Sequence, residues 1–305
     1  MPDFPKPHFS KIQACLENPR LPAEDREMLE EAKIKYSEWM ESLNSVTQGE
    51  DDAVEKLVAA TNKYKRFIEL DLIFDSKSDF MYRQKGQLKL DNTILEEFLP
   101  QLIFRSLKGL DETFDLGPRK TFSGLSFLSS LGNPGKGGEP SIRTKDQDFI
   151  LGKKLFIKSS FNENFNDSKL ISSHLGYICA ECKTNLDKTM FQEAVATSRD
   201  LKIAVPSSMY FLVCEFLDMT PVSINSTQID DIYIVRKSKR ISSNIRQEYR
   251  TPELRRKHRS EYADFIDQSK YYPDVFEKMI KRIESTLDDK NPELGGVLER
   301  GSFKK

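Results

Sequence analysis

Residues 177–183, YICAECK, are apolar for most of their length and end on two charges. Strand side chains alternate between faces. A strand here puts Tyr177, Cys179, Glu181 and Lys183 on one face and Ile178, Ala180 and Cys182 on the other. That alternation decides between two readings of one short stretch. Cys179 and Cys182 spell a C-x-x-C, but thiols on opposite sides of a sheet neither chelate one zinc ion nor close a disulfide. They are expected to be two small buried hydrophobes. Glu181 and Lys183 share a face near the end of the strand, where burying charge is costly unless it is paired or binds a metal.

A second acid gives that pair chemical meaning. Asp146 and Asp148 share a face just ahead of an apolar run, DFIL, followed by Gly152-Lys153-Lys154 and LFIK. This reads as a hairpin, with residues 148–151 and 155–158 as its strands and 152–154 as its turn. An aspartate, a hairpin, E-x-K at the end of the next strand and then a helix bring carboxylates and a lysine to one sheet edge. Two carboxylates there can hold Mg²⁺ through oxygen ligands and leave waters on it. The lysine can orient or help deprotonate one of those waters while the metal offsets phosphate charge. The pattern therefore points to a metal-dependent nuclease.

The rest of the chain supplies the frame. From 22 to about 72 apolar residues recur at three- and four-residue steps. Leu29, Ala32, Tyr36, Trp39, Met40 and Leu43 form one series and Val54, Leu57, Val58, Thr61, Tyr64 and Ile68 another. This predicts two long helices separated by the polar SLNSVTQGEDD. A further helix is expected over 94–107, opened by Asp91, Asn92 or Thr93, with Thr93 and Glu96 at capping-box spacing and Pro100 kinking or restarting it. Residues 121–143, rich in Gly, Ser and Pro, read as loop. GNPGKGGE within them fails the phosphate-loop pattern, because Gly137 follows Lys136 where Ser or Thr is required. A polar loop over 160–174 precedes the E-x-K strand. Beyond it, Leu186, Met190, Ala194 and Leu201 lie on one helix face, residues 209–216 and 231–236 are strands, and a last helix opens at Pro273 with Val275, Met279, Ile283 and Leu287 inward. The order predicts an α/β fold, a mixed central sheet flanked by helices with an N-terminal helical region. We place the helical region at 1–85 and the sheet domain at 86–305.

Local charge speaks to partners where the total, a net −1, does not. Residues 236–259 hold ten Lys and Arg against two Glu. Duplex DNA needs cations along its backbone, so Arg236, Lys237, Lys239, Arg240, Arg246, Arg250, Arg255 and Arg256 are expected to contact it. His174 and His258 read as ordinary residues of polar surface loops. No apolar run is long enough to span a membrane. The opening MPDFPKPHFSKIQ lacks the apolar stretch of a signal peptide, and four scattered cysteines suit a reducing compartment. Together these predict a cytoplasmic protein.

At these residues the chain resembles the PD-(D/E)XK nuclease superfamily, and within it the BbvCI-type type II restriction endonucleases. The stretches that carry the resemblance are EKLVAATNKYK, ILEEF, RTKDQDFILG, ECKTNLDKTMFQEAVATSRDLK, MYFLVCEFL and IDDIYIVR, in order along most of the chain. The resemblance implies an αβββαβ core and Mg²⁺-dependent hydrolysis of double-stranded DNA at an asymmetric CCTNAGC-like site. It also implies two related subunits that each cut one strand, although a homodimer remains open. Carried over, Asp148 is the motif aspartate with Asp146 as its alternative. Glu181 is the second metal carboxylate, the Cys182 carbonyl a third ligand, and Lys183 the catalytic lysine. Glu96 or Glu97 would fill the place of a glutamate that many relatives supply from an upstream helix, unless it is only an exposed helical acid. The usual proline before the motif aspartate is missing, since Gln147 precedes Asp148, and the spacing to Glu181 is long. A non-cutting DNA-binding or assembly subunit on the same fold and a non-specific repair nuclease are the competing functions.

Overall fold

The computed structural model describes residues 4–82, 90–110, 113–287 and 294–302. Helices α1 (Pro7–Leu16), α2 (Ala23–Asn44) and α3 (Ala53–Arg66) open the chain, and a π-helical stretch, Phe67–Phe74, continues α3. The apolar spacing of 22–72 accounts for α2 and α3. Leu29, Ala32, Tyr36, Trp39 and Leu43 are buried along α2, and Val54, Leu57, Val58, Thr61 and Tyr64 along α3. Trp39 and Tyr64 stack between them, centroids 4.7 Å apart. The sequence reading missed α1, which is short and starts on a proline with no side-chain cap of its own.

After α4 (Asp79–Tyr82) and a 3₁₀ turn, Leu90–Asn92, helix α5 (Thr93–Ser106) runs through Pro100 without a break. The expected capping box does not form. The expected boundary between residues 85 and 86 lies outside the described residues. Helix α5 touches α1 and α3 on one side and the sheet on the other. One apolar cluster accordingly runs from Leu29 and Trp39 through Phe98 to Phe149 and Val213.

Five strands follow: β1 (Asp115–Phe127), β2 (Pro140–Ser160), β3 (Ser168–Leu186), β4 (Met209–Leu217) and β5 (Asp231–Lys239), in that spatial order. The first three form an antiparallel meander, and β4 and β5 run parallel to β3. Helix α6 (Lys188–Ala204) makes the crossover from β3 to β4, as parallel strands require. The sheet is mixed and flanked by helices, as expected.

Two expectations about the meander need correcting. Residues 152–154 are not a turn: β2 continues unbroken for 21 residues, and the hairpin closes at 161–167. The pairing slips between Leu151 and Gly152, where a Cβ on Gly152 would lie 2.3 Å from the Leu175 carbonyl oxygen. The glycine marks a bulge with close backbone approach, not a reversal. Residues 121–143 and 160–174 are not all loop either, since β1 extends to Phe127, β2 runs from Pro140 to Ser160 and β3 begins at Ser168. Gly137 packs GNPGKGGE onto the hairpin: a Cβ there would sit 2.4 Å from the Ser159 carbonyl oxygen, and its φ is +59°.

The alternation expected of β3 holds. Ile178, Ala180 and Cys182 join the cluster shared with the helical region, while Cys179 joins Ile150, Tyr210 and Leu212 on the opposite face. Short helices α7 (Ser243–Gln247), α8 (Pro252–Lys257) and α9 (Arg259–Gln268) follow β5, and α10 (Pro273–Leu287) and α11 (Leu294–Arg300) complete the chain. Val275, Met279 and Ile283 are buried on α10, but Leu287 is exposed at its end. Among the described residues no helix is long and apolar enough to cross a membrane.

Candidate active site

The site forms where β2 and β3 stop pairing. Their ladder ends at Phe149 and Ala180. On the other side of β2, Gly117 pairs with Ile150 and Arg119 with Gln147, so Pro118 alone faces both Asp148 and Phe149. A proline has no N–H for the ladder, and such a bulge bends a strand and re-aims a side chain. The re-aimed side chain is Asp148. Its Oδ2 accepts the Cys182 backbone N–H at 2.9 Å, so a carboxylate takes over where the ladder stops and sits against E-C-K.

Glu181 is held from two sides. Its Oε1 lies 2.7 Å from the Lys183 Nζ, and its Oε2 accepts the Tyr210 hydroxyl at 2.6 Å. Tyr210 is fully buried on β4, opposite Cys179. Sequence reasoning missed it, although a signal existed: a phenol within the otherwise apolar MYFLV needs a buried partner.

Electrostatics tie α5 to the same place. Burial, and then the charge of Asp148, push the half-buried Glu96 up to about 7, against the pull of Lys11 and Lys183. Burial also raises Asp148, opposed by the Cys182 N–H and Lys183 and reinforced by Glu181. Burial works to lower Lys183, but the hydrogen bond and charge of Glu181 outweigh it and hold the ammonium above its ordinary value. Lys183 is therefore a firmly protonated group next to a cluster of acids.

The other candidate acids stand apart. Asp146 is exposed on β2 and pairs in register with Lys120. Glu97 points into the helical layer, where its Oε2 accepts the His8 and Phe9 N–H groups at 2.8 and 3.2 Å and its Oε1 accepts the Tyr36 hydroxyl. Those N–H groups belong to the first turn of α1, so Glu97 caps a helix remote in sequence. Of the two glutamates, Glu96 is the one whose charge couples to Asp148.

A family model described as the Bpu10I restriction endonuclease matches residues 87–303. The chain belongs to the Bpu10I restriction endonuclease family. It is similar to a solved structure described as the native BbvCI A2B2 tetramer at low resolution, with 20% identity and a TM-score of 0.60 over 87% of this chain and 98% of that one. At that identity the likeness bears on the fold. No curated protein matches.

In this family member the basic segment is mostly spoken for. Arg236 is 2% exposed, with Nη2 2.6 Å from Glu69 and Nε 2.9 Å from Glu215. Lys65 shares both acids, at 3.1 and 2.8 Å. Arg255 is 1% exposed and donates to the carbonyls of Phe74, Ser76 and Ser78. Both residues are structural, contrary to the expectation that they contact DNA, because a guanidinium buried this deeply must satisfy its donors inside the protein. Lys237 pairs with Asp274, Arg240 with Asp218 and Arg256 with Glu253, at 2.6, 3.3 and 3.4 Å. Lys239 and Arg250 are exposed, and Arg246 is half-buried. His174 lies within β3 rather than in a loop, 3.7 Å from Asp115, and His258 is half-buried beside Glu261. His8, unremarked in the sequence, is fully buried; burial, and then Lys65, hold it down at about 3, so it is neutral.

The fit of a divalent cation follows from the donors. Asp148, Glu181 and Glu96 bring like charges together, and carboxylate oxygens suit a hard cation. Burial, first of all, pushes Cys179 up to about 12 and Cys182 well above the usual thiol range, so thiolate ligation is disfavoured. Among the described residues no three His, Cys, Asp or Glu side chains converge closely enough to hold an ion by themselves. A cation here would rest on two carboxylates, with carbonyl and water oxygens completing its shell.

Proposed function

We propose that this chain is a catalytic subunit of a type II restriction endonuclease. It hydrolyses phosphodiester bonds of double-stranded DNA at a specific, asymmetric CCTNAGC-like site, with Mg²⁺ as cofactor. The observation that carries this reading is the Asp148–Cys182 hydrogen bond, which brings a re-aimed carboxylate onto the strand that bears Glu181 and Lys183.

In this reading Asp148 and Glu181 hold Mg²⁺, with the Cys182 carbonyl as a further oxygen. When bound, the ion offsets charge on the scissile phosphate and lowers the pKa of a bound water. The protein's own groups do the rest. The Cys182 N–H fixes the Asp148 carboxylate, and the Tyr210 hydroxyl fixes that of Glu181. The Lys183 ammonium orients the attacking water and adds positive charge beside the phosphate. Glu96, poised near neutrality, can take or return a proton at the rim.

The asymmetry of such a site offers a homodimer no matching two-fold axis. The similar solved structure contains two kinds of chain, and we assign this chain one strand of the duplex, with a related subunit for the other. The test is digestion of supercoiled plasmid with Mg²⁺ by the wild type, Glu181→Ala and Lys183→Ala. The wild-type chain alone should nick, and discrete linear product should need the second subunit. Either variant should lose cleavage by about a hundredfold or more while still binding DNA in Ca²⁺. Near-normal cleavage by either variant would remove the assignment, binding without cleavage by the wild type would mark a non-cutting subunit, and a smear would mark a non-specific nuclease.

A further inference from the structure

Beyond the site, β2 and β3 continue as a two-stranded antiparallel arm that pairs from Gly152–Gly176 out to Ser160–Ser168. One face of β2 along this arm reads Lys154, Phe156, Lys158. It is the face that Ile150 turns toward Cys179 and Tyr210, and so the face of the sheet on which Tyr210 holds Glu181. Phe156 is 59% exposed and Phe165, at the arm's turn, 44%. The Lys154 ammonium lies over the Phe156 ring at 5.2 Å and that of Lys158 over Phe165 at 5.4 Å. Phe165 takes a φ of +54°, a region that non-glycine residues rarely occupy. Backbone strain of this kind tends to collect at functional surfaces. Two more exposed lysines, Lys153 and Lys169, lie on the opposite face of the arm, where the Lys153 ammonium sits over the Phe114 ring at 4.4 Å.

Most cations of the basic segment after β5 are paired, although Lys239 and Lys257 there are exposed as well. There Arg236, Lys237, Arg240, Arg255 and Arg256 already have acidic partners. On the arm, Lys153, Lys154, Lys158 and Lys169 have no ion pair among the described residues. Exposed lysines interleaved with exposed aromatics complement a polyanion that also offers apolar edges.

We propose that the β2–β3 arm is a docking surface for duplex DNA, with Lys154 and Lys158 on phosphates and Phe156 and Phe165 against the groove. The proposal rests on the nuclease reading above and names where its substrate lies. Its dimensions suit the role. A two-stranded ribbon fits the major groove. Lys158 stands eight residues beyond Ile150, about 26 Å along an extended strand, within one turn of roughly 34 Å of B-form DNA. A duplex seated at Glu181 therefore meets the arm before it completes a turn.

The test compares the full-length wild type with Lys154→Ala/Lys158→Ala and with Phe156→Ala, using a fluorescent mixed-sequence duplex in Ca²⁺ over a range of salt. These side chains are exposed, so melting temperature should not change. The double lysine variant should bind about tenfold more weakly or worse, with a log–log salt slope shallower by about two. Phe156→Ala should weaken binding with the slope preserved. Unchanged affinity and slope in the variants, with the wild type still binding, overturn the arm and leave the nuclease reading intact. No binding by the wild type overturns the nuclease reading itself. Normal DNA binding with a smaller assembly by light scattering would make the arm a protein interface and also overturn the proposal.

Discussion

Tyr210 and Glu96 show how single residues shape this candidate site. The Tyr210 hydroxyl leaves Glu181 one well-defined orientation from β4, a strand with no acid of its own at the site. Tyr210→Phe should cut cleavage by about ten- to a hundredfold, leave DNA binding in Ca²⁺ unchanged, and weaken the Mg²⁺ requirement curve rather than the fold. Glu96 makes a prediction in pH. A carboxyl raised to about 7 on folding binds more protons folded than unfolded. Stability therefore falls as pH climbs from the ordinary glutamate value to about 7, and the penalty is complete above it. Glu96→Gln should be more stable than the wild type near pH 8, by on the order of 1–3 kcal/mol, read from denaturant unfolding. The two proteins should converge near pH 4. A gap that persists at low pH would place the raised pKa elsewhere.

At the scale of elements, α1 depends on a residue far along the chain. It begins on Pro7 without a cap, and Glu97 on α5 supplies the acceptor for its first N–H groups. Buried donors left without partners are costly. Glu97→Ala should therefore destabilise the protein by about 2–4 kcal/mol, read as a lower melting temperature, while cleavage well below that temperature stays within a few-fold. A folded Glu97→Ala protein with no cleavage would put Glu97 in the chemistry after all. The same dependence explains which elements could be read from sequence. Helices α2 and α3 and strand β3 each carry a period that one face of a core imposes. Helix α1 does not, because its N-terminus is completed by tertiary contact. Gly152 misled for a related reason: glycine serves a turn and a bulge equally well, and only the approach of the Leu175 carbonyl distinguishes them.

Across the whole molecule, a buried network joins the helical region to the sheet. Lys65 and Glu69 come from α3 and the π-helical stretch after it, Glu215 from β4 and Arg236 from β5, with the Tyr271 hydroxyl on Glu215 at 2.9 Å. Two cations and two anions balance inside the core. Removing one partner strands the rest, at about 3–5 kcal/mol for a buried pair. Arg236→Ala should therefore fail by thermal denaturation or poor solubility, with any protein that remains folded binding DNA normally. Reduced affinity at unchanged melting temperature would restore Arg236 to the DNA surface.

The sequence by itself determined the class of the fold and which residues the candidate site would be built around. Strand alternation placed Glu181 with Lys183 and parted Cys179 from Cys182, since faces follow from backbone geometry alone. It also brought Asp148 into question with Asp146, and Glu96 with Glu97, without separating either pair, because neighbours in sequence carry the same local signal. The tertiary structure separated them by long-range contact. A bulge opposite Pro118 turns Asp148 onto the Cys182 N–H, α1 claims Glu97, and an acid-lined core claims Arg236. Charge in a sequence is only available charge, and what it binds is decided by which opposite charge the fold brings within reach.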